Sequence, residues 1–189
     1  SWRYENGELR EEYADEGGEF PQLDLPDDET ALPEDEDGAA LFSVSGRVYG
    51  GIDVSHHQEG INWTALQNQI DFAIPRCGYG LDLMEQDDRY WRQNANECQR
   101  LGIPFGTYVY SYAQNTAMAK SEAEHALRLV KGYDLDYPIY IDIEDKTVTG
   151  LSAGELSAIA KTFCETIEQA GYTPGIYTFK NMWDTKLTD

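Results

Sequence analysis

Residues 101–111 read LGIPFGTYVYS, and residues 170–178 read AGYTPGIYT. Both follow one plan: the end of a helix, then Gly, Pro, Gly and a short aromatic strand. A unit of this kind, repeated, builds a β/α layer in which parallel strands are covered by helices. Outward from these two stretches the alternation continues. VYGGIDVS (48–55) and DFAIPRCGYG (71–80) precede them as strand candidates, and YPIYIDIED (137–145) lies between them, with the Pro138 ring at its start, where a missing N–H is tolerated. The intervening segments have helical spacing. NWTALQNQI (62–70) places Trp63, Leu66 and Ile70 on one side. In DDRYWRQNANECQRLG (87–102), Asp87 or Asp88 stands near the cap, Trp91, Ala95 and Cys98 share a face, and Gly102 ends the helix. A further helix is expected from Asn115 to Gly132. The clearest spans 151–171, where Ser152 and Glu155 form a capping-box pattern, Leu156, Ile159, Ala160, Phe163, Ile167 and Ala170 form the buried stripe, and Gly171 closes it. Five strands alternating with helices predict an α/β fold, an irregular TIM-like β/α barrel. A closed barrel has eight strands, so the chain reads as truncated after the fifth.

The chain has 189 residues, 35 acidic and 14 basic side chains, and a formal net charge of -21. A nucleic-acid partner needs a cationic track, and an anionic lipid surface needs basic residues, so neither is expected. The charge is uneven: fifteen acids, Glu5 to Asp37, lie in residues 1–45 against Arg3 and Arg10 alone. With DLPDDET and LPEDEDG and few periodic apolar positions, residues 1–47 read as an acidic, extended, solvated leader or stalk, or alternatively as an acidic docking arm. Residues 48–189 form the domain. Cys77, Cys98 and Cys164 are too scattered for a disulfide framework or a CxxC metal site, and read as small apolar packers, with one bridged pair as the alternative. No apolar run of about 18 residues spans a membrane.

In parallel β/α architectures the reactive groups stand at the C-terminal ends of strands. Asp53 is late in the first strand, and Asp142 and Glu144 end the fourth. Residues i and i+2 of a strand share a face, so Asp142 and Glu144 point together, with Cα atoms roughly 6.5 Å apart. Two carboxyls this close cannot both ionise freely; one should hold its proton and donate it while its ionised neighbour stabilises positive charge. Glycosidic cleavage needs those two roles. Solvated acids at a strand end are the plain alternative, but isoleucines alternate with these acids on a strand that reads as buried. Asp145 turns the other way and reads as a cap or as a solvated side chain. His56 and His57 follow Asp53 and read as surface or hydrogen-bonded structure. The rival chemistry is a metal site built from Asp53, one of these histidines, Asp142 and Glu144, as in a metal-dependent phosphodiesterase. His125, mid-helix, reads as structural. Tyr108, Tyr110 and Tyr112 alternate along the third strand, Tyr79 ends the second and Tyr177 lies on the fifth. Inward aromatic rings with polar tips suit a sugar cleft, and Tyr79, Tyr110 and Tyr177 are the candidate substrate-binding residues; ordinary interior filling is the alternative.

At GIDVSHHQ, FAIPRCGYG, FGTYVYSYA, the strand ending IDIED, and GIYT, in order from about Gly50 to the chain end, the sequence resembles glycoside hydrolase family 25, the Chalaropsis-type lysozymes of bacteria and their phages. The resemblance implies an irregular barrel of β/α units followed by plain strands. It implies hydrolysis of the β-1,4 bond between N-acetylmuramic acid and N-acetylglucosamine in peptidoglycan glycan strands, with retention. By position Glu144 matches the general acid, Asp142 the carboxylate that assists at the anomeric centre by orienting the substrate's N-acetyl group, and Asp53 the first-strand acid. No metal or organic cofactor is expected. Family domains continue through three more strands, so the barrel is expected to be completed by a missing segment or a second chain. The alternative function is a truncated barrel that holds glycan without cutting it. An extracellular or cell-wall-facing location follows, with a tether upstream of Ser1.

Overall fold

The computed structural model of the protein describes residues 3–5, 8–10, 49–58 and 60–187. Near the N-terminus β1 (Arg3–Glu5) and β2 (Glu8–Arg10) pair antiparallel, Arg3 opposite Arg10 and Glu5 opposite Glu8. The sequence signal for this pairing is Asn6-Gly7, a dipeptide that favours tight hairpins. The expectation of an extended leader over 1–47 did not include it, and the rest of that segment lies outside the described residues.

The domain is built on five strands: β3 (Gly51–Val54), β4 (Phe72–Tyr79), β5 (Thr107–Tyr110), β6 (Ile139–Ile143) and β7 (Pro174–Thr178). They lie side by side in chain order, every pair parallel. This is the α/β arrangement expected from the alternation. Among the described residues the sheet is open, with β3 and β7 at its edges.

The crossovers are made by α1 (Trp63–Leu66), α2 (Trp91–Leu101), α3 (Thr116–Val130) and α5 (Ala153–Gln169). Their ends follow local chemistry. The Asn62 and Asn115 side chains accept the N–H groups of Ala65 and Met118, satisfying donors that the first helical turn leaves open. Ser152 and Glu155 make both bonds of a capping box. Gly102, at φ 67°, takes the left-handed turn that ends α2 and turns the chain into β5. Two short helices were not anticipated: α4 (Lys146–Thr149), capped by Asp145, and α6 (Lys180–Thr185). The helix expected over 62–70 is real only for its first turn; Gln67 caps it and a turn leads into β4.

Alternation divides each strand. Val54, Ala73, Cys77, Val109, Ile139, Ile141 and Ile143 face the helices and are buried. They meet Trp91, Ala95 and Cys98 of α2, Ala123, Ala126 and Leu129 of α3, and Leu156, Ile159, Phe163 and Ile167 of α5 in one core. Full burial of each large aliphatic or aromatic chain contributes about 1.5–3 kcal/mol. The two buried indoles also find acceptors: Trp63 Nε1 donates to Asn94 Oδ1 and Trp91 Nε1 to the Leu129 carbonyl, both at 3.1 Å. Cys77 and Cys98 are buried free thiols and Cys164 is free and half-buried, so the alternative of a bridged pair is not met. The opposite face of the sheet is only partly covered, and Asp53, Asp142 and Tyr177 lie on it. No helix among the described residues is long and apolar enough to cross a membrane.

Candidate active site

The face of the sheet turned away from the helices holds a cleft of about 310 Å³ lined by Gly51, Ile52, Asp53, Phe72, Ile74, Tyr108, Tyr140, Asp142 and Tyr177. The strand register explains the set. Tyr108 lies beside Tyr140, and Tyr110 beside Asp142, which in turn lies beside Tyr177. Asp53 on β3 is level with Ile74 on β4. Side chains of one parity from each strand therefore converge on one space.

Asp53, Asp142 and Tyr177, three of the six residues singled out from sequence, line this cleft. Asp53 is exposed and Tyr177 is 56% exposed, whereas Asp142 is only 6% exposed. Glu144 stands one strand repeat further on, just past the end of β6, half-buried and outside the lining set. Tyr110 is buried at the side of Asp142. Tyr79 is brought to the same face by an irregularity in β4: the register shifts between Arg76 and Gly78, so that Arg76 is level with Tyr108 and Tyr79 with Tyr110. Strict alternation from Arg76 would have turned Tyr79 to the helices. The Tyr79 hydroxyl donates to the Glu85 carbonyl at 3.2 Å, and its ring meets Tyr112 edge to face. Tyr79 and Tyr110 thus form a packed wall beside the cleft, and Tyr177 is the candidate ring most open to a ligand.

The electrostatics centre on Asp142. Burial pushes its carboxyl well above the usual carboxylate range; Glu144 and Asp53 add to that, and Arg76 opposes it. Its Oδ1 is buried without a hydrogen-bond partner among the described residues. Burial and the Glu144 charge both favour the protonated form of Asp142, whereas the family resemblance gives the donor's role to Glu144. Asp145 caps α4 through the Thr147 N–H, the first of the two roles expected of it, and is buried rather than solvated.

Two charged residues of this region were not singled out in sequence. Arg76 is a buried cation on the cleft face of β4, and its Nε donates to Asp88 Oδ2 at 2.9 Å. Asp88 was expected near the cap of α2. It does accept the Tyr90 N–H, but its main partners are Arg76 and the backbone N–H of His56. Burial alone would raise the Asp88 carboxyl; the His56 hydrogen bond and the Arg76 guanidinium reverse this and hold it at about 2. The available signal was an arginine inside an apolar strand, two residues after Ile74 and therefore on the same face. Phe72 and Tyr140, also in the lining, carried no signal beyond strand parity.

His56 contacts Arg76 through Nδ1, and His57 beside it is pushed down to about 4 by burial, then by His56 and Arg76. Among the described residues no group of three or more His, Cys, Asp or Glu side chains is arranged to hold a metal ion. The constellation of Asp53, a histidine, Asp142 and Glu144 considered above is therefore not assembled here. His125 is buried within α3, its ring nitrogens against the Gly80 carbonyl and Asp87, a structural placement.

The model of Glycosyl hydrolases family 25 matches residues 52–189. The chain belongs to glycoside hydrolase family 25. Its similarity to individual family 25 proteins is moderate. It is 24% identical to the autolytic lysozyme of Clostridium acetobutylicum over 138 residues, 72% of this chain and 40% of that protein. Among solved structures it is similar to the modular autolysin LytC of Streptococcus pneumoniae, at 31% identity and a TM-score of 0.66, covering 75% of this chain and 35% of that one. A family 25 glycosyl hydrolase from Bacillus anthracis shares the fold at 21% identity and a TM-score of 0.63, with 74% and 65% covered. The chain thus spans about 40% or less of the autolytic lysozyme and of LytC.

Proposed function

We propose that this family 25 chain carries the acid/base half of a muramidase site, cleaving the β-1,4 bond between N-acetylmuramic acid and N-acetylglucosamine of peptidoglycan with retention. One observation carries the reading: a buried carboxyl, Asp142, coupled to a second, Glu144, at the end of a strand beside an aromatic cleft. LytC has been crystallised with a synthetic peptidoglycan ligand, which supports the same substrate class here. Glu144 gives its proton to the glycosidic oxygen as the C1–O bond breaks. The carbonyl oxygen of the substrate's own N-acetyl group attacks C1, and Asp142 accepts a hydrogen bond from the amide N–H and steadies the positive charge that forms. Glu144, now ionised, removes a proton from the water that opens this intermediate, which returns the acid to its starting state. Asp53 closes the anionic side of the cleft, and Tyr177 offers a ring face to the sugar.

Asp142 assists only as an anion, although its burial favours the proton. The Arg76 guanidinium opposes that burial, Asp142 gives its proton to solvent water before the bond breaks, and the positive charge that then develops at the anomeric centre favours the anion. In this reading the open sheet is completed into a barrel by a further segment or a second chain, the acidic residues 1–47 are a spacer, and the enzyme works outside the cell at the wall.

The test is mass-spectrometric analysis of products from purified peptidoglycan, for the chain and its Glu144→Gln variant. New reducing-end muramic acid from the parent alone is the expected result. Glycan binding by both proteins without product from either would make the chain a binding module and overturn the catalytic reading.

A further inference from the structure

Arg76 interrupts an apolar strand, and its guanidinium is held from two loops. Nε and Nη2 both reach Asp88 Oδ2 at 2.9 Å, Nη2 contacts His56 Nδ1, and the ring of Tyr79 lies 5.6 Å from the guanidinium carbon. The clamp is itself fixed. The His56 N–H donates to Asp88 Oδ2 at 3.0 Å and the Tyr90 N–H to Oδ1 at 2.9 Å, so both carboxylate oxygens are engaged. A buried ion pair is weak evidence of a stabilising role, since packed apolar residues of similar volume often do as well or better. Position gives this pair another use. Arg76 is level with Tyr108 on the cleft face, one residue pair below the row of Tyr110, Asp142 and Tyr177. The groups facing Asp142 are Glu144 on its own strand, Asp53 from β3, Arg76 from β4, Tyr108 and Tyr110 from β5, and Tyr177 from β7. In that ring of acids and tyrosines, Arg76 is the group of opposite charge.

We infer that Arg76 is a positioning residue of the acid/base site: clamped by Asp88 and His56, it holds a fixed positive charge on the cleft face that makes the ionised form of Asp142 easier to reach. The inference rests on the reading of Asp142 as the assisting carboxylate, but its electrostatic content can be measured without turnover. Asp88 is the anionic partner of the guanidinium, itself held by the His56 and Tyr90 N–H groups. Removing both members of the pair therefore strips the cation from Asp142 without leaving a buried anion alone.

The experiment is carboxyl-carbon NMR titration of the 189-residue chain labelled at aspartate, with the Asp142 signal assigned by its loss in Asp142→Asn. Losing a nearby cation raises a carboxyl, so the Asp142 midpoint is expected to rise by about one pH unit in the Arg76→Met/Asp88→Asn double variant. In Arg76→Lys, which keeps the charge, it should stay within a few tenths of a unit of the parent. A double variant with the parent's midpoint, or an Arg76→Lys variant shifted as far as the double, would overturn the inference and leave the pair a packing element. On peptidoglycan the acid limb of kcat should move up by the same amount, with KM changed less than about twofold, because the loss is in proton affinity and not in glycan contact. A parent that titrates as stated but releases no reducing sugar would refute the muramidase reading and leave the electrostatic role of Arg76 standing.

Discussion

Replacing Glu122 by glutamine should change how the stability of this protein depends on pH. Glu122 lies on α3 and is fully buried behind the end of β5. Its Oε2 accepts from the Ser111 hydroxyl at 2.6 Å and its Oε1 from the Tyr112 N–H at 2.8 Å. Burial pushes the carboxyl from 4.5 up to about 7, against the opposing hydrogen bonds of Ser111, Tyr112 and Ala113. The folded chain therefore holds this proton more tightly than the unfolded chain does. The resulting stability is complete below about pH 4.5 and is lost as the pH rises through about 7. At about 1.4 kcal/mol per pH unit the whole effect is about 3 kcal/mol, of which about 2–3 kcal/mol falls between pH 5 and pH 8. Glutamine keeps the shape, accepts from the Tyr112 N–H and turns its own amide toward Ser111, yet cannot ionise. Urea unfolding of parent and variant at pH 5 and pH 8 isolates the group, because every other titration cancels in the difference. The variant should gain about 2–3 kcal/mol on the parent between those two pH values. Parallel behaviour would refute the reasoning and mean that Glu122 ionises as a solvated carboxyl does. The position matters to the cleft as well: Glu122 fixes the turn that carries Tyr112, whose ring packs on Tyr110 beside Asp142.

Asp142→Asn should abolish cleavage and yet stabilise the fold at neutral pH by about 0.5–2 kcal/mol, as substitutions that relieve a strained functional site commonly do. The sign follows from the raised carboxyl: ionising it costs stability as pH rises, so the advantage of asparagine should vanish below about pH 4 in thermal unfolding curves. Gly78→Ala should cost about 1–3 kcal/mol, because its Cβ would lie 2.5 Å from the His125 ring and 2.9 Å from the Gln86 carbonyl oxygen. Denaturant melts check this, and an unchanged midpoint would show that His125 and the β4 irregularity have room to give.

The sequence alone determined the order and type of the main elements, because each was written locally. Ser152 and Glu155 marked a helix start, Gly102 a helix end, and the isoleucines of PIYIDI a strand buried on one face. Alternation of period two also put Asp142 on the same face as Tyr140, and chain order predicted the parallel sheet. Those signals depend on neighbours a few residues apart, where backbone sterics and hydrogen bonds decide the outcome. The cleft depends on distant neighbours. Only the tertiary structure showed that Arg76 and Asp88 form a buried pair, that a register shift after Arg76 carries Tyr79 to the cleft face, and that Asp142 is the acid deprived of water while Asp53 remains exposed. Burial and charge coupling are properties of the space between strands. A carboxyl in a sequence has no dielectric surroundings until the other strands are laid beside it.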